Sequence, residues 1–112
     1  TYTKPIVILT NRYTFSAAEL FTMSLKPLPY VSHLGETTGG ATGPIASSTD
    51  FTGNFSLPNG WKVQLAQRIT LDAEKKIFEG KGIPPDAEIL LAVSDAEGGK
   101  DSQLEAAVQR LK

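Results

Sequence analysis

Apolar residues follow two rhythms along the chain. Ile6, Val7, Ile8 and Leu9 form a continuous run between Pro5 and Asn11, the pattern of a strand covered on both faces, which points to a parallel, helix-covered sheet. From Ala17 the spacing changes. Ala17, Leu20, Phe21, Ser24, Leu25 and Leu28 recur at helical intervals until Pro27 and Pro29 break the pattern, so a strand, a tight turn and a helix follow one another. Tyr30 to Leu34 reads as a second strand. The stretch "GETTGGATGP" is then a flexible loop in which Gly39, Gly40 and Gly43 are free to take positive φ. Residues 45 to 60, rich in Ser, Thr, Gly and Asn, predict a weak hairpin or a mobile loop.

Trp61, Val63, Leu65, Gln67 and Ile69 alternate with polar or small residues, the period of a strand with one face buried. Asp72 to Lys76 is a polar turn, Ile77 and Phe78 a short strand, "GKGIPPD" a rigid bend, and Ile89 to Val93 a last apolar strand. Past Gly98 and Gly99, Ser102 with Glu105 fits a capping box, and Leu104, Ala107, Val108 and Leu111 share one helical face that would pack on the sheet. No repeat or linker divides the chain, so the pattern is that of one α/β unit.

Composition narrows the chemistry. The 112 residues, 40% hydrophobic and 21% charged, make one globular domain with a modest core. Eleven Lys and Arg against twelve Asp and Glu give a net charge of -1, so no long-range field draws nucleic acid or anionic lipid. With no cysteine there is no disulfide or thiolate nucleophile, and the single His33 cannot assemble a multi-histidine metal site. No apolar stretch approaches the ~20 residues that span a bilayer, and the amino end lacks the features of a signal peptide. The abrupt start in a buried-type strand suggests a segment of a larger protein.

Ser16 stands at the turn before the first helix. A serine held at a helix amino end has backbone N–H groups and the helix dipole beside it, ready to stabilise an oxyanion, and the small Ala17 and Ala18 let substrate approach. Ser16-Ala17-Ala18-Glu19 also fits a capping box, and no residue nearby in sequence supplies a base. "GETTGGAT" imitates a phosphate-binding loop with Ala41 where the lysine belongs, and Pro44 follows where a helix should start. His33 reads as structural or exposed, Lys75 and Lys76 as a solvated turn, and Asn54-Phe55-Ser56 as a chance glycosylation triplet.

Four stretches in order resemble the tail-specific, or carboxy-terminal-processing, serine peptidases with their interphotoreceptor-retinoid-binding-like and tricorn-like relatives. These are "TNR" with its Ser-Ala-Ala-Glu turn, Gly35-Glu36 with the Thr-Gly loop, "LPNGWKVQLAQR", and "EGKGIPPD"; "KDSQLEAAVQRL" is similar to the family's closing helix. The resemblance implies an α/β fold of the ClpP/crotonase kind, with a mixed or parallel sheet covered by helices. Residues 1–112 would be the carboxy-terminal part of a catalytic domain. It implies Ser16 as nucleophile, the Ala17 N–H as an oxyanion donor, Glu79 as an orienting member of the catalytic network, and Gly39 and Gly40 beside the substrate. Glu36 would support the loop. The tail-specific lysine base is replaced by Ala41, which moves the resemblance toward relatives whose base, a histidine, comes from an upstream segment, often alongside a PDZ module. The implied function is a serine endopeptidase acting through an acyl-enzyme without any cofactor, incomplete alone, in an extracytoplasmic or periplasmic setting. Its partner would be a polypeptide substrate, with homo-oligomerisation left open. The alternative is a non-catalytic module of the same fold that binds an apolar ligand or a peptide strand.

Overall fold

The computed structural model describes residues 2–43, 52–66 and 68–112. The chain runs β1 (Ile6–Thr10), α1 (Ala17–Leu25), β2 (Val31–Gly35), β3 (Thr52–Ser56), β4 (Lys62–Ala66), β5 (Ala87–Glu88), α2 (Val93–Glu97) and α3 (Ser102–Arg110). β1, β2 and β5 form a parallel sheet with β2 in the middle, in the register Ile6↔Val31 to Thr10↔Gly35 and Leu34↔Ala87. This is the α/β arrangement that the continuous apolar run of β1 predicts.

Helices lie on both faces of the sheet. Arg110 of α3 reaches Ser32 on β2 at 3.0 Å, while Lys26, just past α1, reaches His33, the next residue along the strand. Successive strand residues point to opposite faces, so α1 and α3 lie on opposite sides. Among the described residues the buried apolar ones are few, namely Ile8, Leu34, Ile83 and Ala107.

Several predicted faces look outward. In α1 the buried residues are Glu19 and Thr22, and the apolar stripe that includes Leu20 and Phe21 is exposed, Phe21 by 61%. In α3 Ala107 is buried, whereas Leu104, Val108 and Leu111 are exposed. Asp101 rather than Ser102 caps α3, its carboxylate accepting the Leu104 N–H at 2.9 Å, because helix bonding begins one residue earlier than the capping box requires. β3 and β4 form an antiparallel hairpin paired with no other strand among the described residues, so Trp61 and Leu65 face solvent rather than a core. β4 ends at Ala66, short of the predicted Ile69, and Gln67 lies outside the described residues.

Two strands shrink. Ile77 makes only an isolated bridge to Leu71, closing the Asp72–Lys76 turn in which Asp72 Oδ1 accepts the N–H groups of Glu74 and Lys76 at 2.9 and 2.8 Å. The predicted strand at 89–93 does not form: β5 ends before it at Glu88, 89–92 is irregular and α2 starts at Val93, since β2 ends at Gly35 and offers later residues nothing to pair with. The expected hairpin or loop at 45–60 falls partly outside the described residues, and its remainder is β3 with the turn at Pro58–Gly60.

Candidate active site

The turn after β1 starts from Asn11, whose side chain accepts the Tyr13 N–H at 2.9 Å and whose own N–H donates to Thr14 Oγ1 at 3.1 Å. It delivers an exposed Ser16 to the N-cap of α1 with φ 56° and ψ −125°. A non-glycine residue so placed is strained by ~1–3 kcal/mol and stays there only when its surroundings over-determine it. Here the Ser16 N–H is shared between the Ala41 carbonyl oxygen and Glu19 Oε2, both at 3.1 Å.

The Glu19 N–H donates to the Ser16 carbonyl oxygen at 2.9 Å and also faces the Ser16 side chain, the forward arm of a capping box whose return arm is the Glu19 carboxylate on the Ser16 N–H. Ser16 and Glu19 thus stand in the reciprocal positions of a capping box, built on an exposed serine. The Ala17 N–H is used by none of the turn's hydrogen bonds among the described residues. It is an orphan donor at the positive end of a helix.

Glu19 is completely buried, and its carboxylate organises the glycine-rich loop. Oε1 accepts Thr38 Oγ1 at 2.6 Å and the Gly40 N–H at 2.8 Å, and Oε2 accepts the Ala41 N–H at 2.9 Å besides that of Ser16. The loop is thus clamped rather than flexible. Gly40 has φ 74°, and a Cβ there would come within 2.6 Å of the Gly82 nitrogen, so only glycine fits beside the 80–82 bend; Gly39 and Gly43 do not use positive φ.

A second carboxylate holds the end of the same loop. Glu79 Oε2 accepts the Thr42 N–H, the Thr42 hydroxyl and the Gly43 N–H at 2.7, 2.8 and 2.6 Å. The Thr42 hydroxyl bond, with the two N–H bonds acting against a desolvation push, keeps the Glu79 carboxyl below the ordinary range. These two glutamates fill the N–H groups from Gly40 to Gly43, which is why the phosphate-loop pattern leaves no anion cradle.

His33, on β2, belongs to a separate buried network. The Thr10 hydroxyl donates to the Glu36 carbonyl at 2.7 Å, so it must accept from His33 Nε2, also at 2.7 Å, leaving Nδ1 to accept from Lys26 Nζ at 3.3 Å. Burial, then the Lys26 charge, lowers the His33 pKa from 6.5 to about 4 against the opposing pull of Asp86. Lys26 also bonds Asp86 at 2.8 Å and the Pro84 carbonyl at 2.7 Å. Burial pushes the Asp86 carboxyl up, yet the bonds from Lys26 and the His33 N–H outweigh it and leave Asp86 lowered. A neutral histidine locked this way ties β1, β2 and the 84–86 segment together and has no path to Ser16 Oγ through these bonds.

The Peptidase family S41 profile matches residues 1–89. The chain belongs to peptidase family S41. Among solved structures, this S41 chain is 34% identical to a candidate peptidase from Parabacteroides merdae, over 98% of this chain and 32% of the other, with a TM-score of 0.83. It is 28% identical to the tricorn protease over 96% of this chain and 10% of that one, with a TM-score of 0.77. Mature CPAF, solved with lactacystin, is 25% identical over 99% of this chain and 20% of its own, with a TM-score of 0.75. The S41 chain therefore spans about a third or less of the length of these relatives. No curated protein matches it.

Within the S41 chain, Ser16, Ala17, Gly39, Gly40 and Glu79 converge on one loop-and-turn unit. Ala41 bonds to the Ser16 turn, and the adjacent Thr42 and Gly43 bond to Glu79. Gly39 and Gly40 direct their N–H groups inward, to the Thr14 carbonyl at 2.8 Å and to Glu19. Glu36 enters the structure through its backbone, and the loop support expected of its side chain comes from Glu19 and Glu79. The principal residue the sequence reading missed is Glu19 as a loop anchor. Its position three residues after the turn serine, off the apolar stripe of α1 and ahead of a Gly-Gly loop, was the available signal.

Proposed function

We propose that this chain is part of a serine endopeptidase that hydrolyses polypeptide amide bonds through an acyl-enzyme at Ser16. The observation that carries the reading is the turn itself. An exposed serine is held at φ 56° at the head of α1, beside an Ala17 N–H that none of the turn's bonds uses among the described residues. In this reading Ser16 Oγ attacks the scissile carbonyl carbon and its proton passes to a base. The Ala17 N–H steadies the tetrahedral oxyanion, the amine leaves with a proton, and water then hydrolyses the ester.

Ala41 has no group that takes a proton, so the base comes from a segment outside residues 1–112. Support for a larger catalytic unit comes from the outward apolar stripes of α1 and α3 and from relatives several times longer. Glu79, tied to the loop end, orients that network through Thr42.

The test is labelling of the full-length protein with a fluorophosphonate, followed by peptide mapping. Ser16 carries the adduct, and Ser16→Ala abolishes it. Ala41 is the one feature that favours a non-catalytic module, and absence of labelling together with tight binding of an apolar ligand would decide for that alternative.

A further inference from the structure

We propose that Glu19 is the positioning residue of the nucleophilic turn, its carboxylate holding the Ser16 backbone and the 38–41 loop in a single geometry. The inference rests on Ser16 being the nucleophile and adds which group sets its aim. Ser16 occupies a backbone region that strain alone would empty, and its N–H is gripped from two sides at 3.1 Å, by Glu19 Oε2 and by the Ala41 carbonyl. Both grips depend on Glu19, because the Ala41 N–H is itself bonded to Oε2 at 2.9 Å.

The other oxygen extends the hold. Oε1 takes the Thr38 hydroxyl at 2.6 Å, and Thr38 Oγ1 in turn accepts the Ile83 N–H at 2.7 Å, so the carboxylate links the Ser16 turn to the buried Ile83 bend. Ser16, Thr38, Gly40 and Ala41 thus supply four donors to one fully buried side chain. With its lone pairs facing those donors and no bond to Ser16 Oγ, Glu19 acts on the backbone and receives no proton from the reaction. Residue 41, where the resemblance expects a lysine base, serves here through its main chain alone.

Glu19→Gln keeps the shape but turns an NH2 toward N–H donors, so one end of the clamp must let go. In the full-length protein, fluorophosphonate labelling of Ser16 and kcat for a peptide substrate should fall by about 100-fold, the scale of a misplaced reacting group. KM should stay within about threefold, since substrate contacts are not removed. The shape of the pH–rate profile should be unchanged, whereas a general base would shift it.

Wild-type protein that labels at Ser16 together with a folded Glu19→Gln variant that labels equally fast would overturn the clamp alone. Wild-type protein that does not label would overturn the nucleophile reading and the clamp with it. Should Glu19→Gln not fold, Thr38→Val removes the 2.6 Å bond to Oε1 and the 2.7 Å bond from the Ile83 N–H, while leaving the carboxylate and its three N–H bonds in place. Its kcat should drop about tenfold with KM kept, and an unchanged kcat would overturn the proposal.

Discussion

His33 should make stability fall as the solution is acidified from neutrality, well before carboxylates in the usual range protonate. The unfolded chain takes up a proton at His33 near pH 6.5, while the folded protein resists until about 4. Between those values the unfolded state binds more protons, so stability is full at neutral pH and drains away as pH falls. The whole difference, from 6.5 to about 4, corresponds to about 3 kcal/mol, of which about 2 kcal/mol is gone at pH 5.

The assay is urea unfolding at pH 7, 6 and 5 for wild type and His33→Gln. The variant loses absolute stability because Thr10 and Lys26 lose their ring partner, so the readout is the pH slope. Wild type should lose about 2 kcal/mol between pH 7 and 5 more than the variant does. Asp86, also lowered, contributes in the same direction but only as its own, lower range is entered, which leaves the window above pH 5 to the histidine. The chain holds a single histidine, so its Cε1–H resonance reports the same titration directly. Equal slopes for the two proteins, or a folded-state resonance that titrates near 6.5, would refute the buried neutral imidazole.

Two further contrasts probe local geometry. Asp101→Ala should cost ~1 kcal/mol in thermal or urea unfolding as the α3 cap is lost, whereas Ser102→Ala should be neutral or stabilise by up to ~1 kcal/mol, because Ser102 Oγ is buried with no partner among the described residues. The reverse order would return the cap to Ser102. Gly82→Ala should cost at least ~2 kcal/mol, since φ is 78° and a Cβ would meet the Thr38 carbonyl oxygen at 2.1 Å. Gly80→Ala, at φ 71° with open space around it, should cost only ~1 kcal/mol, and equal losses would deny the close packing of the bend on the loop.

The parallel pair β1–β2 and the helix between them were legible because an apolar run of strand length and a 3.6-residue repeat are local signals. The 80–86 bend was legible for the same reason, its glycines and prolines marking it directly. Which face each element buries was not legible. Periodicity identifies an apolar stripe but not what covers it: in α1 Leu20 and Phe21 are exposed, and in α3 only Ala107 of the four stripe residues is buried. The last strand failed for a non-local reason, since 89–93 has strand composition but β2 ends before it can be paired.

The Ser16 turn was named from the sequence, but its conformation was hidden for a different reason. Binary patterning assigns a glutamate to the surface and a serine before a helix to its cap. Here the glutamate is the buried one, and the serine holds the cap position at φ 56°. Each reverses a rule worth about 1 kcal/mol or more, through a desolvated carboxylate in one case and a left-handed serine in the other. Neither reversal is stable alone. Glu19 needs the Ser16, Gly40 and Ala41 N–H groups to offset its burial, and Ser16 needs Glu19 to stay at φ 56°. Two mutually dependent departures from local preference, meeting at one exposed residue that carries a hydroxyl, exceed what starting a helix requires. They make sense where the position of that hydroxyl matters more than the stability of the turn.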